Sequence, residues 1–526
     1  MTNTDLQLDL PPGSWSRSTA HFRLPLSALL RSMWSRILDE AMGRLGRSYG
    51  IPIDGVDVHW LHGYPFMQMR VMADLSALGE RAAVADEVLA TRAWRADAER
   101  WSTEGKPRWI AANLVLQDVH LPDLDDAALV GHLAQAVDHA VEAIGVHFEL
   151  HAADQIPVGD FLVACERWGI DDRDAATALS GASPASIADS EELAMAAQAL
   201  AASADEPRSL DEVRSHPEAG PALKRHLRSH GWRVVTSYDV DGQTEGELPD
   251  LTLRSLRRLM RPEATRPQAD DGPVLLRARV PAADRVEFDD LLTEARFAYG
   301  LRDDHVGVDF LWPMGLLRRV LLEVGRRLVI RGLLNKVDLA IELAPDEVAG
   351  ALGGSGPSSV ELASRREERH RAATLGVPTH IGPVEEPPFD LLPPGLGRVM
   401  RSFSYASDRW YAPPGRIGLE GDGIGDRTVR GRARVVHDAA EALRELVDGE
   451  VLVAQFTTPA FNPALICAGA LVTSEGGLFA HAAIAARELG LPAVIGAPAA
   501  LVDISTGDLV EVDARSGLVR VVEVAR

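Results

Sequence analysis

The sequence predicts a multidomain protein, with a mainly α-helical N-terminal region and a C-terminal part in which short β-like runs alternate with a few short helices. Three observations carry that prediction. Apolar residues recur at helical spacing through most of the chain up to residue 375. Prolines then cluster at 383, 387, 388, 393, 394, 413 and 414. Beyond residue 429 the apolar runs shrink to strand length, as in Gly469-Ala-Leu-Val-Thr473, which ends in a hydroxyl and reads as a buried strand.

Taken in order, the first helix is marked by Leu29, Leu30, Met33, Trp34, Ile37, Leu38 and Met42, and Gly50-Ile-Pro-Ile-Asp-Gly55 ends it before an extended segment to Met72. Further helices are expected over 83–103, 125–150, 157–168, 188–203, 219–230, 284–299, 309–333 and 358–374. Segments 204–219, 262–282 and 353–357, rich in proline or glycine, read as loops. The expected division is a helical acceptor-binding region over 1–375, a proline-rich linker over 376–424 and a C-terminal domain over 425–526. The linker looks too rich in proline for a helix and stiff enough to set the reach of the C-terminal domain. Arg365-Arg-Glu-Glu-Arg-His-Arg371 mixes signs at helical spacing and reads as a solvated face with internal ion pairs. Arg318, Arg319, Arg326 and Arg327 are placed on the solvent side of their helix.

Composition excludes several function classes. A chain of 526 residues suggests about three or four domains, and 46% hydrophobic residues suffice for sizeable cores. No run approaches the ~20 apolar residues of a membrane span, and Met1-Thr-Asn-Thr-Asp-Leu6 has no basic-then-apolar leader. Two cysteines, Cys165 and Cys467, exclude a disulfide framework and fit a cytoplasmic location. With 54 basic and 77 acidic side chains the net charge is −23. Such a balance disfavours nucleic acid as a partner, since that affinity comes mainly from Lys and Arg on phosphates.

The chemistry concentrates at one histidine. His481 lies between Gly476-Gly477 and an alanine-rich helix that Gly490 stops, which places it in the first helical turn. Backbone N–H groups there have no intrahelical partners and favour an anion. Neutral imidazole is a nucleophile near pH 7, and its phosphorylated form is a good donor. A histidine so placed can accept a phosphoryl group and deliver it.

The segment 425–526 resembles the mobile phosphohistidine domain of the PEP-utilising enzymes, which include rifampicin phosphotransferase, phosphoenolpyruvate synthase and pyruvate phosphate dikinase. The similarity runs in order through Gly431-Arg-Ala-Arg-Val-Val436, Gly449-Glu-Val-Leu-Val-Ala454, Thr457-Thr-Pro459, Val472-Thr-Ser-Glu-Gly-Gly477, His481-Ala-Ala-Ile484, Ala486-Arg-Glu-Leu-Gly-Leu-Pro-Ala-Val494 and Gly507-Asp-Leu-Val-Glu-Val-Asp513. The resemblance implies a β/β/α swivelling domain with His481 as the catalytic carrier. It also implies that Thr473, Glu475, Gly476 and Gly477 surround the phosphoryl group, with Thr457 and Thr458 as further donors. Arg487, six residues on, suits packing or docking better. Ala480 stands where the family usually has a serine or threonine.

Residues from about 20 to 375 resemble the helical substrate-binding region of rifampicin phosphotransferase through Leu24-Pro-Leu-Ser27, Phe161 to Gly169, Leu179-Ser-Gly-Ala-Ser183, His226 to Arg233, Glu294 to Arg302 and Leu321 to Leu328. No ATP-grasp domain is recognised, so ATP and Mg²⁺ are expected on a separate ATP-grasp protein and no cofactor on this chain. The phosphoenolpyruvate-binding barrel is not recognised either. The expected function is a phosphotransferase component acting on a hydroxyl of a small molecule. Two alternatives stay open: a subunit of a split substrate-activating synthase, and a decayed enzyme retained for binding or regulation.

For the acceptor site, His147 is a candidate general base, while Arg233 and Asp239 are candidates for neutralising the phosphoryl group and taking the acceptor's proton. Each has a plain structural alternative, as a satisfied histidine or an ordinary ion pair. His226 and His230 have a metal-compatible spacing with no third ligand in view, so no metal site is expected.

Overall fold

The computed structural model describes residues 10–17, 22, 24–183, 190–201, 206–260, 272–383, 388–409 and 416–525. Residues 262–271 of the expected loop, and Pro387, Pro413 and Pro414 of the linker, lie outside them. The chain forms two compact units, each assembled from separated stretches. A mostly helical N-terminal region and a C-terminal mixed sheet are found, as the sequence predicts.

The first unit comprises Met1–Ala152, Trp232–Gln243 and His305–Val399. Its antiparallel sheet contains β1 (Trp15–Ser16), β2 (Ile53–Leu61), β3 (Tyr64–Val71) and β4 (His380–Ile381), in the order β2-β3-β1-β4. The extended segment expected up to Met72 is the β2–β3 hairpin. Its turn residues His62 and Gly63 have φ of +50° and +80°, which suits the right-handed twist of the paired strands. The helix Ala28–Tyr49 buries the apolar stripe seen in the sequence, and Ser27 caps it by accepting the Leu30 N–H at 3.1 Å.

The two arginine runs in this unit turn inward, contrary to the sequence expectation. Arg318 donates to the Val240 carbonyl at 2.9 Å, Arg319 to the Gln117 carbonyl at 2.9 Å, and Arg327 to the Leu124 carbonyl at 2.7 Å. Arg326 alone of the four keeps a largely exposed side chain. In the helix Ser359–Ala373 the ion pairs leave the helix: Arg365 pairs with Glu347, Arg366 with Asp338, and Arg369 with Asp241 and Glu342. Guanidinium forks reach loop carbonyls and carboxylates that periodicity does not reveal.

The second unit comprises Ala153–Gly231, Thr244–Asp304 and Met400–Arg526. Its seven-stranded sheet contains β5 (Asp422–Ile424), β6 (Thr428–Val435), β7 (Val451–Ala454), β8 (Ala470–Thr473), β9 (Ala493–Ile495), β10 (Leu509–Asp513) and β11 (Leu518–Glu523), in the order β11-β10-β6-β7-β8-β9-β5. Strands β6 to β9 are parallel. Every residue of β7, β8 and β9 is buried, as expected for parallel strands covered on both faces. One face packs Val451, Val453, Val472 and Val494 against Ala497, Ala500 and Ile504.

Three expected loop or linker stretches contain helices. Leu210–Ser215 is capped by Ser209, while Gly272–Arg279 and Pro394–Asp408 begin at or beside a proline. The first turn of a helix needs no N–H from those residues, so proline there starts helices instead of breaking them. The helix Pro394–Asp408 thus corrects the reading of the linker as too proline-rich to be helical.

Candidate functional site

The carboxyl ends of β7 and β8 build the site around His481. Backbone pairing continues one step past the strands, with Ser474 N–H on the Ala454 carbonyl at 3.1 Å and Glu475 N–H on the Gln455 carbonyl at 2.9 Å. That register brings the Gln455 amide to Glu475, donating to its carboxylate at 2.8 Å. Thr473 is fully buried; its hydroxyl donates to the Glu475 carbonyl at 2.8 Å and accepts the Gly496 N–H at 3.2 Å. It therefore shapes the loop around the site. Gly476 turns that loop with φ +98°, a region that favours glycine, and a Cβ on it would stand 3.1 Å from the Ala480 Cβ. The Gly477 carbonyl accepts the Ala480 N–H at 3.1 Å.

His481 is the first residue of the helix His481–Leu489, and Ala480 is its N-cap, with no side-chain cap hydrogen bond. The N–H groups of His481 and Ala482, at the first two helical positions, have no intrahelical acceptor. Thr457, buried just beyond β7, places its hydroxyl 3.0 Å from His481 Nδ1. The partner at Nδ1 helps set which ring nitrogen carries the proton. Thus Thr457 contacts the His481 ring, Gly476 stands against its N-cap Ala480, and Thr473 and Gln455 hold the loop that carries Glu475.

The far side of the same helix docks within the second unit. Arg487 donates to the Tyr299 hydroxyl at 2.8 Å and to the Leu478 carbonyl at 2.6 Å, and the Tyr299 ring meets Phe479 edge-on. Glu488 accepts the N–H groups of Gly181 at 2.8 Å and Ser183 at 3.3 Å. Burial pushes the Glu488 carboxyl and the Tyr299 hydroxyl above their ordinary values. Two sequence cues, Leu179–Ser183 and Glu294–Arg302, therefore meet at the histidine-bearing helix, and Arg487 sits in the docking contact.

The acceptor candidates lie in the first unit and do not form one constellation. Asp239 accepts the Ser27 N–H and the Ser27 hydroxyl, each at 2.6 Å, and the Val240 N–H at 2.6 Å. It is a clasp for the first helix. Burial and the neighbouring Asp241 push its carboxyl upward. Arg233 stacks over Trp312 and stands against Gly307, which opens a π-helical turn over Gly307–Leu311. His147 sits at the end of the helix Asp126–Glu149, with its Nδ1 3.1 Å from His305 Nδ1 and its Nε2 3.3 Å from His151 Nε2. Sequence reasoning missed His151, His305 and Asp309. The His147/His151 and His305/Asp309 pairs, each four apart in sequence, were the available signal. His226 and His230 stack on each other, and His226 bridges Ser190 at 2.7 Å and Glu245 at 2.6 Å. Although burial opposes it, the adjacent histidines hold Glu245 down to about 2.

Residues 446–517 match the family described as PEP-utilising enzyme, mobile domain. A chondramide synthase of Chondromyces crocatus is 27% identical over 547 residues, covering 96% of this chain and 14% of that protein. A rifampicin phosphotransferase of Streptomyces sviceus is 28% identical over 332 residues, 59% of this chain and 36% of that protein. A phosphoenolpyruvate synthase of Aquifex aeolicus is 42% identical over 102 residues, 19% of this chain and 12% of that protein. The chain spans well under half the length of each of these relatives. Among the described residues no helix is long and apolar enough to cross a membrane. Residues 446–517, with His481 among them, are similar to the mobile domain of the PEP-utilising enzymes, and the chain is related to rifampicin phosphotransferase and phosphoenolpyruvate synthase.

Proposed function

We propose that this chain is a phosphotransferase component in which His481 carries the phosphoryl group. Its Nε2 attacks a phosphorus of ATP bound with Mg²⁺ on a separate ATP-grasp protein, forming a P–N bond as the P–O bond to the nucleotide breaks. In the second half-reaction a hydroxyl of a small molecule held in the helical region attacks the same phosphorus. The P–N bond breaks, its electron pair returns to the ring, and a base takes the hydroxyl proton. One observation carries the reading: a histidine at a helix N-terminus, held at Nδ1 by Thr457 at 3.0 Å, within a mobile-domain match. In this reading segment 425–526 swivels on the 376–424 linker, and the polar contacts of Arg487 and Glu488 are those of one docked state. The relatives named phosphotransferase and synthase support phosphoryl transfer and an organic acceptor.

A second reading has its own support. The relative that covers 96% of this chain is a chondramide synthase, which favours a subunit of a larger substrate-activating synthase. A single-turnover experiment separates acceptor from donor chemistry. Protein phosphorylated in the presence of the ATP-grasp partner is freed of nucleotide and mixed with hydroxyl-bearing natural products. Transfer of the label to one compound, at a rate faster than hydrolysis, is expected. Loss of label to water alone with every compound would remove the acceptor half of the proposal.

A further inference from the structure

We propose that His147, His305 and Asp309 bind a divalent transition-metal ion in the first unit, at a site separate from His481. Their ligand atoms all lie within 4.8 Å of one another, and all three residues are buried. The separations are those a metal needs. His147 Nδ1 stands 3.1 Å from His305 Nδ1 and 3.4 Å from Asp309 Oδ1, and His305 Nδ1 stands 3.0 Å from Asp309 Oδ2. A tetrahedral ion with nitrogen and oxygen ligands at about 2.0–2.1 Å sets neighbouring donors about 3.3–3.4 Å apart. Two imidazoles and one carboxylate are a donor set for zinc and its first-row neighbours, with positions left for water or a substrate atom.

The surroundings are built for that set. The next-door ring His151 places Nε2 3.3 Å from His147 Nε2. With His147 ligating through Nδ1, its proton resides on Nε2 and is donated to His151, the usual support for a ligating histidine. Asp309 lies in the π-helical turn Gly307–Leu311, an irregularity that re-aims side chains and recurs at functional sites. That turn is held from outside: Asn113 donates to the Val308 carbonyl at 2.8 Å, and His139 Nε2 stands 2.7 Å from the Asn113 oxygen. A carboxylate with no exposed surface, such as Asp309, is stable when paired or bound to a metal. A dication between the three residues joins the end of one helix to the turn that opens the next.

The test is metal content and Co²⁺ spectroscopy on the full chain. Protein purified without chelator, or stripped and reloaded with Zn²⁺, is expected to hold about one equivalent by mass spectrometry of the elements. Co²⁺ loading is expected to give d–d absorption bands at the same stoichiometry. Asp309→Asn and His305→Gln are expected to lose the bound ion. His151→Gln is expected to keep the stoichiometry with about 10–100-fold weaker affinity, and His226→Gln to keep both. Because a variant can fail to fold, wild-type Zn²⁺ titration is read separately as a rise in melting temperature. No binding and no melting shift in the wild type would overturn the site in favour of a metal-free His305–Asp309 pair. Binding that survives Asp309→Asn and His305→Gln unchanged would overturn it as well.

Discussion

Thr457 and Ala480 set the terms on which His481 works. Thr457 is the side chain that holds the ring at Nδ1, so Thr457→Val should slow phosphorylation of His481 by roughly tenfold, the equivalent of one lost hydrogen bond of about 1.4 kcal/mol. Time-resolved mass measurements against an unchanged melting temperature check this; equal rates would reduce Thr457 to packing. Ala480 leaves the helix without a side-chain cap. Ala480→Ser should stabilise the protein by about 1 kcal/mol in chemical denaturation, and an unchanged midpoint would mean that the cap position is already satisfied. The sequence made the helix start at His481 legible because its glycine pair and helix stop are local signals. It did not reveal the Thr457 contact to Nδ1, since a hydroxyl 24 residues away in sequence reaches the ring only through β-strand register. Nor did it reveal that Thr473 points into the loop's own backbone.

At the level of elements, the parallel strands β7, β8 and β9 act as a frame, and the loop from Thr473 to Ala480 hangs from it. Gly476 is the point where that loop cannot accept a side chain without adjustment: φ is +98° and the Ala480 Cβ is close. Gly476→Ala should cost about 1–2 kcal/mol and impair phosphorylation together with stability. A variant with wild-type stability would show that the loop relaxes freely. The helices were legible from periodicity, and the strands from run length and breakers. What failed was punctuation: Pro394 and Pro273 start helices where proline content alone argues for loops. The arginine pairs failed for a different reason. Arg318, Arg319 and Arg327 hydrogen-bond carbonyls of loops distant in sequence, and a charge on a helix carries no mark of the loop it will meet.

At the scale of the whole chain, the second unit buries carboxyl groups whose titration differs from that of exposed ones. Glu245 is the clearest, held at about 2 against an ordinary 4.5 by His226 and His230 despite burial. A carboxylate depressed on folding adds stability that is full above its unfolded value and is lost as pH falls through the folded one. The melting temperatures of wild type and Glu245→Gln should therefore differ most above pH 4.5 and converge toward pH 2; a constant gap would assign the difference to packing. Asp154 has the opposite sign, since burial raises it to about 6 despite Arg302, and its contribution declines as pH rises from 3.8 to 6. The most direct test of the central claim is localisation of the phosphoryl group by fragmentation mass spectrometry at alkaline pH, after incubation with ATP, Mg²⁺ and the ATP-grasp partner. The predicted result is an acid-labile phosphoryl group on His481 alone, absent in His481→Ala. Acid-stable modification, modification of another residue, or none with an active partner would contradict it.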